Sequence, residues 1–227
     1  MLHGGPGAPG SAGALADLIA DPARVLEPWQ RATSVSGHVE DVRSFIDAQC
    51  DAAPVLVGHS WGAMLALVFA AAHPRDVLGV CLVGSGTFDL QSRAVFELAL
   101  GTESDAMVDR IYNVDPLPED ARDATVFDEH AHEHSWNDML RLQGDGTYPA
   151  SFSAIAVPVL MLHGAADPHP GRMIRDSLLP FLPQLEYREL DRCGHYPWRE
   201  RDARDDFVRQ AREWLARFAS GSGPREK

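Results

Sequence analysis

Residues 55–67 (Val-Leu-Val-Gly-His-Ser-Trp-Gly-Ala-Met-Leu-Ala-Leu) constrain the fold more than any other stretch of this sequence. They begin with a short apolar run rich in β-branched side chains, which predicts a buried strand, and the Ala/Leu/Met-rich continuation predicts a helix. Gly58 and Gly62 flank Ser60 in the turn, where strand and helix pass too close for a Cβ atom. A serine in such a turn is strained and its hydroxyl is exposed. We therefore predict that Ser60 is a nucleophile, and an ordinary tight turn is the alternative.

The partners that such a serine needs can be sought at the ends of later strands. A serine hydroxyl needs a base, usually a histidine that a carboxylate orients. In open α/β sheets the catalytic side chains follow the carboxyl ends of strands. A strand predicted over residues 157–163 runs into a loop with Asp167, and one over residues 185–190 runs into a loop with His195. The chain order Ser60, Asp167, His195 therefore predicts a catalytic triad at one edge of a sheet.

Most of the remaining chain alternates between strand and helix patterns. Further strands are predicted over residues 24–29 and 77–83, and helices over residues 14–20, 38–49, 170–182 and 202–218. The strand over residues 77–83 is an almost continuous apolar run, which is typical of a parallel strand covered on both faces. The alternation predicts an α/β fold with a mostly parallel sheet flanked by helices.

Residues 87–151 interrupt this alternation. They hold fourteen Asp and Glu residues against four Arg, so they carry −10 of the formal net charge of −13. Such a shift in composition indicates a separate structural unit. We predict an α/β core formed by residues 1–86 and 152–227, with a helical cap inserted as residues 87–151. A chain of 227 residues is long enough for such a domain.

Composition also excludes several classes of partner. The net charge of −13 disfavours nucleic acid and anionic membrane surfaces. No apolar run in the sequence is long enough for a membrane span. Cys50, Cys81 and Cys193 are odd in number and lack metal-site spacing, which predicts reduced thiols in a cytoplasmic protein. The expected partner is a small-molecule or short-peptide substrate, and nothing in the sequence indicates an oligomeric state.

Four other side chains compete for the roles of base and orienting acid: His59, His163, His169 and Asp191. Adjacent residues in the turn point apart, so His59 is expected to pack locally. His163 ends a buried strand and is expected to be structural. His169 either lines the pocket or lies exposed on its loop. Asp191 lies so near the predicted base in sequence that it is expected to cap a turn.

A metal site or a cysteine nucleophile is a weaker hypothesis. On a helix His130 and His134 would share one face, with His132 between them. No third ligand follows at a diagnostic spacing, so a solvated cap helix is the favoured interpretation. Cys193 is not needed as a nucleophile, because a suitable serine is present. We expect neither a metal nor a cofactor.

Two backbone N–H donors are needed to stabilise the oxyanion that forms when a serine attacks a carbonyl group. One is expected from Trp61, directly after Ser60, at the amino end of the predicted helix. The other is expected from the His-Gly-Gly-Pro-Gly run at residues 3–7. Gly5 is the predicted donor and Gly4 the alternative.

With these residues in place, the chain resembles the α/β-hydrolase superfamily from residue 2 to residue 218. The runs at residues 3–7 and 58–62 are similar to those of its proline iminopeptidase-like branch. The resemblance implies a cap over the active site and a serine hydrolase acting on an ester or on an amide or peptide bond of a small substrate. That branch also contains esterases, so a carboxylesterase is the alternative. Haloalkane dehalogenases and epoxide hydrolases need an aspartate at position 60, so they are excluded.

The acidic cap bears on the substrate. An aminopeptidase has to hold a positively charged amino terminus, and carboxylates over the pocket would do so. The candidate carboxylates are Glu97, Glu103, Asp128, Glu129 and Glu133. A solvated helical surface explains most of them equally well, so aminopeptidase and esterase remain nearly even.

The chain departs from the superfamily pattern at its amino end. Members carry two or three strands before the glycine-rich loop, whereas here only Met1 and Leu2 precede it. We therefore expect that the first strands are missing and that this polypeptide is poorly stable or inactive, while a longer parent is an enzyme. A non-catalytic hydrolase-like module that only binds a ligand is the competing hypothesis from another functional class.

Overall fold

The computed structural model describes residues 1–19, 25–101, 110–118 and 126–218 of the chain. Three positions named above lie outside these described residues: Ala20 at the end of a predicted helix, Arg24 at the start of a predicted strand, and the candidate carboxylate Glu103. In the described part of the chain, no helix is long and apolar enough to cross a membrane.

Four parallel strands form the sheet in the described residues, in the order β1-β2-β3-β4. The strands are β1 (Val55–His59), β2 (Gly79–Val83), β3 (Val159–Gly164) and β4 (Leu185–Leu190). Every residue of β2 and β3 is buried, because these two strands are apolar on both faces and lie in the middle of the sheet. The predicted parallel sheet is therefore confirmed.

Helices cover both faces of this sheet, as the alternation predicts. They are α1 (Gly13–Ile19), α2 (Val35–Gln49), α3 (Trp61–Ala72), α4 (Leu90–Leu100), α5 (Glu129–Gly144), α6 (Gly171–Leu178) and α7 (Arg204–Leu215), with 3₁₀ turns at Ala150–Ala154 and Ala216–Phe218. Side chains of α2, α3 and α6 pack on one face of the sheet. Side chains of α1 and α7 pack on the other face. The strands therefore lie inside a three-layer α/β structure.

Two predicted elements differ from the structure. The helix predicted to reach residue 182 ends at Leu178, because Pro180 has no N–H to donate to a helical carbonyl. Residues 25–29, predicted as strand, are irregular. Pro28 lacks the N–H that a strand needs, and an apolar cavity of about 700 Å³ is lined by residues of this segment and of β1.

That cavity adjoins the start of the chain. Leu2 pairs with β1 in parallel, since its N–H donates to Val57 O at 2.7 Å and its carbonyl accepts from His59 N at 3.1 Å. The Met1 amino group donates to Leu26 O at 2.7 Å. The first two residues therefore connect β1 to the irregular segment at residues 25–29.

The acidic segment (residues 87–151) is helical over α4, α5 and the 3₁₀ turn Ala150–Ala154. Aspartates cap its two longer helices, because the Asp89 carboxylate accepts from Ser92 N and the Asp128 carboxylate accepts from Ala131 N, each at 2.9 Å. The division of the chain at residues 87 and 151 into a core and a cap stays a prediction.

Candidate active site

Ser60 lies between β1 and α3 with φ 54° and ψ −117°. A positive φ is a costly conformation for a residue with a side chain. A Cβ on Gly58 would lie 2.1 Å from Gly62 O, and a Cβ on Gly62 would lie 2.2 Å from Leu2 O. Only glycine fits at either position, so the two glycines permit the close strand-to-helix turn in which Ser60 is strained. The serine remains half-buried, at the amino end of a helix whose other residues are mostly buried.

Asp167 and His195 meet at the same edge of the sheet, beyond the carboxyl ends of β3 and β4. His195 Nδ1 donates to Asp167 Oδ2 at 2.8 Å, and both side chains are buried. Burial lowers the pKa of His195, although the Asp167 charge partly offsets this effect. The imidazole is therefore neutral at pH 7 and can accept a proton.

Gly84, directly after β2, allows this pair to form. Its φ is 51°, and a Cβ there would lie 2.8 Å from His195 O and 3.4 Å from Asp167 Oδ2. Any side chain at this position would push the loop of residues 191–195, which carries His195 (the histidine loop), away from the sheet. The sequence signal for this residue is a glycine at the end of a buried strand, which by itself does not indicate a functional site.

The second oxygen of Asp167 is also occupied. His169 donates to Asp167 Oδ1 from both its backbone N and its Nδ1, at 2.9 Å each, and His163 Nε2 lies 3.3 Å from Oδ2. Burial by itself raises the pKa of the Asp167 carboxyl, but the neighbouring imidazoles of His195 and His163 and the hydrogen bond from His169 outweigh burial. They hold this pKa well below its usual range. Asp167 is thus an ionised carboxylate held on both oxygens.

The competing side chains have other contacts. His59 is buried, its Nε2 lies 3.1 Å from His195 O, and its ring packs edge-on against Trp198. Burial lowers the pKa of His59 well below its usual value, so this ring is neutral. His163 is fully buried, as expected of a structural residue, and Asp191 is exposed. His169 is only 6% exposed, so the interpretation of an exposed loop histidine is wrong.

The glycine-rich loop at residues 3–7 lies against the serine. A Cβ on Gly4 would lie 3.4 Å from Ser60 Cβ and 2.8 Å from His59 Nδ1. Gly5 has a φ of 46°. Trp61 is the first residue of α3, where backbone N–H groups have no partner within the helix. The loop and the helix start therefore bring backbone donors to the side of Ser60.

The acidic segment contacts this edge of the sheet through aromatic side chains. Phe96 of α4 stacks on His169 with ring centroids 3.9 Å apart. The ring of Tyr112 lies 4.7 Å from that of His195, and its carbonyl accepts from His195 N at 2.7 Å. Phe127 lies close to Gly5. Aromatic side chains of the acidic segment therefore contact His169, His195 and the loop at residues 3–7.

The candidate carboxylates of the acidic segment have other environments. Glu129, Glu133 and Glu97 are exposed, and Glu97 pairs with Arg93 at 2.6 Å. The Asp128 carboxylate caps α5. Among the described residues, none of this set is buried beside His195.

Metal-binding side chains converge at one place in the described residues: Asp167, His169 and His195, with ligand atoms within 4.8 Å of one another. Their hydrogen bonds to one another account for this cluster. His130 and His134 stack on the surface of α5, whereas His132 Nδ1 bonds Pro6 O at 3.0 Å. The three histidines of α5 therefore do not face a common point.

Residues 3–210 match the model of the alpha/beta hydrolase family, which is nearly the whole chain. The chain belongs to the alpha/beta hydrolase family. Among curated proteins no sequence relative matches it. The predicted α/β-hydrolase fold is confirmed.

Solved structures resemble this family member in fold at low sequence identity. E-2-(acetamidomethylene)succinate hydrolase matches with a TM-score of 0.72 and 14% identity, covering 95% of this chain and 90% of the other. A serine hydrolase involved in carbazole degradation matches with a TM-score of 0.69 and 19% identity, covering 95% and 90%. A putative lipase from Acinetobacter baumannii matches with a TM-score of 0.70 and 19% identity, covering 95% and 82%. Identities this low establish a shared fold and leave the substrate open.

Sequence reasoning missed two residues at this site, Tyr112 and Glu200, and it did not foresee the contact between His169 and Asp167. Tyr112 and Glu200 contact the backbone of the histidine loop, and His169 holds Asp167. His169 had a signal, because it lies two residues after the predicted acid. The other two had none, since no spacing connects residue 112 or residue 200 to the backbone of residues 194–195.

Proposed function

We propose that this protein is a serine hydrolase that cleaves an ester or an amide bond of a small substrate through Ser60, Asp167 and His195. The observation that carries the proposal is the strained Ser60 at the amino end of α3, on the same sheet edge as the buried pair Asp167–His195. If the Asp167–His195 pair served only the stability of the fold, the protein would not need a serine held at φ 54°. Strain of this kind clusters at functional sites.

In the proposed reaction, Ser60 Oγ attacks the carbonyl carbon while His195 Nε2 takes its proton. Asp167 holds the Nδ1–H tautomer and stabilises the imidazolium that forms. His195 then gives the proton to the leaving group. Water attacks the acyl group on Ser60 while His195 takes a proton from it, and His195 returns this proton to Ser60 Oγ as the acid is released. The neutral imidazole and the ionised carboxylate are the protonation states that this sequence needs at its start.

The oxyanion is proposed to bind the backbone N–H groups of Trp61 and Gly5. Each such donor contributes roughly 3 kcal/mol to the stability of the transition state. The close approach of Gly4 to Ser60 supports this role for the loop at residues 3–7.

For the substrate, we favour an ester over a peptide with a free amino terminus. An aminopeptidase needs a carboxylate near the reacting carbonyl, and the described candidates are exposed or cap a helix. The aromatic contacts of Phe96, Tyr112 and Phe127 suit an apolar acyl or alcohol group. A proline iminopeptidase-like activity is the second candidate, on the resemblance of residues 3–7 and 58–62.

A fluorophosphonate probe tests the mechanism, because it reacts only with an activated serine. Labelling is expected on the wild-type protein and absent from Ser60→Ala. An unlabelled wild type would favour a non-catalytic module that only binds a ligand. Short p-nitrophenyl esters compared with proline arylamides then separate esterase from aminopeptidase activity.

A further inference from the structure

We propose that Glu200 is a positioning residue for His195 and acts on it through backbone amides. This inference rests on the proposed serine-hydrolase function and deepens it. Glu200 lies five residues after His195. Among the hydrogen bonds of the described residues, none joins its side chain to any of the three proposed catalytic side chains. Its carboxylate instead joins the histidine loop to the acidic segment.

The Glu200 side chain is fully buried and accepts three backbone hydrogen bonds. Oε1 accepts from Gly194 N at 3.0 Å and from Val114 N at 2.9 Å, and Oε2 accepts from Asp115 N at 2.9 Å. Hydrogen bonds to an ionised acceptor are stronger than neutral ones. A buried carboxylate is costly unless its oxygens are satisfied, and here both of them are.

These contacts fix consecutive amides of the histidine loop. Glu200 accepts from Gly194 N, and the next amide, His195 N, donates to Tyr112 O at 2.7 Å. A Cβ on Gly194 would lie 2.2 Å from Tyr112 O and 2.8 Å from Glu200 Oε1. The backbone that carries the imidazole is therefore held from both sides, at a distance that only glycine permits.

The same carboxylate sits within a longer contact between two segments. Leu117 N donates to Arg199 O at 2.6 Å, Arg201 N donates to Asp115 O at 3.0 Å, and Pro116 bridges Glu200 in antiparallel fashion. Residues 112–117 belong to the acidic segment, and residues 194–201 follow β4. A shift of the acidic segment would therefore reach His195 through Glu200.

The expected consequence of losing the carboxylate is a displaced imidazole. Three backbone N–H groups, of which that of Gly194 is buried, would lose their acceptor, and the loop would move to satisfy them. A misplacement of about 1 Å at a reacting group costs roughly 100-fold in rate. The Michaelis constant should change less than kcat, because the Glu200 side chain is fully buried and its oxygens face backbone amides.

The test compares three variants with the wild type. Glu200→Gln keeps the shape and one acceptor oxygen, so it can hold two of the three amides, whereas Glu200→Ala holds none. We expect kcat on a p-nitrophenyl ester to fall by about tenfold in the first variant and about 100-fold in the second, with KM within about threefold. The matched control is Arg201→Ala. It removes an exposed ion pair of 3.2 Å between Arg201 and Asp115, which also joins the segment after β4 to the acidic segment. It should leave kcat within about twofold.

A second readout does not depend on activity. The NMR signals of the His195 imidazole should shift in Glu200→Gln and stay unchanged in Arg201→Ala. A Gln variant that melts at a lower temperature but keeps wild-type kcat and wild-type imidazole signals would overturn the proposal, since Glu200 would then be structural only. If Glu200→Ala fails to fold, the Gln variant decides. If the wild type is not labelled by a fluorophosphonate, the proposed function fails, and the imidazole signals still decide whether Glu200 positions His195.

Discussion

His195 Nδ1 and Asp167 Oδ2 lie 2.8 Å apart, and this hydrogen bond uses only half of the carboxylate. His169 holds the other oxygen from two directions, through its backbone N and its Nδ1. The carboxylate therefore cannot rotate away from His195 without losing three hydrogen bonds. It is oriented before any substrate binds, which is what an electrostatic role in catalysis requires.

Asp167→Asn should lower kcat by about 10⁴-fold if the proposed mechanism holds, because an amide at this position favours the wrong tautomer of His195. Ester turnover by the purified variant measures the effect. His169→Ala should cost much less, since the His169 backbone N–H still holds Asp167 Oδ1. Equal losses in the two variants would contradict the assignment of Asp167 as the acid that orients the base.

The pH dependence of kcat/KM should report the pKa of His195 in the free enzyme. Burial lowers this pKa, and the base works only when it is neutral. Activity should therefore rise with pH through a midpoint below about 6.5, the ordinary value for histidine. A midpoint clearly above that value, measured on a p-nitrophenyl ester at constant ionic strength, would show that His195 is not the titrating base.

Much of the site could be predicted from sequence because its residues follow strands. An apolar run before a glycine-flanked serine has few structural solutions, and parallel strands bring the loops with Asp167 and His195 to one edge. The rest depends on contacts between distant segments. Nothing in the spacing of Glu200 or Tyr112 indicates that the acidic segment reaches the backbone of the histidine loop.

The segment at residues 25–29, beside the edge strand β1, shows the same limit. Its composition predicts a strand, but a strand exists only where a neighbour accepts and donates hydrogen bonds. Here the irregular residues line a cavity with β1, and the Met1 amino group contacts them at Leu26 O. The propensity of residues 25–29 for strand structure does not by itself reveal whether a neighbouring strand pairs with them.

Ser60→Gly should raise the stability of the protein while it abolishes activity. Glycine adopts a positive φ without the steric cost that a side chain has, which is about 1 to 3 kcal/mol at one strained position. Chemical denaturation measures the difference in the free energy of unfolding. Ser60→Ala is the matched control, because alanine also loses the hydroxyl but keeps the strain. Equal stability of the two variants would indicate that the turn is not strained at Ser60.

Gly84→Ala should reduce both stability and fluorophosphonate labelling. The new Cβ takes on a positive φ and lies 2.8 Å from His195 O, so the histidine loop must move. Gly146→Ala is the matched control, since Gly146 also has a positive φ, 80°, but has no atom within 4 Å of a new Cβ. Both variants have the backbone cost of about 1 to 2 kcal/mol, whereas only Gly84→Ala displaces His195. Labelling should therefore slow in Gly84→Ala and remain at the wild-type rate in Gly146→Ala. Equal labelling rates at matched stability would show that the close approach of Gly84 to the Asp167–His195 pair has no part in holding the base.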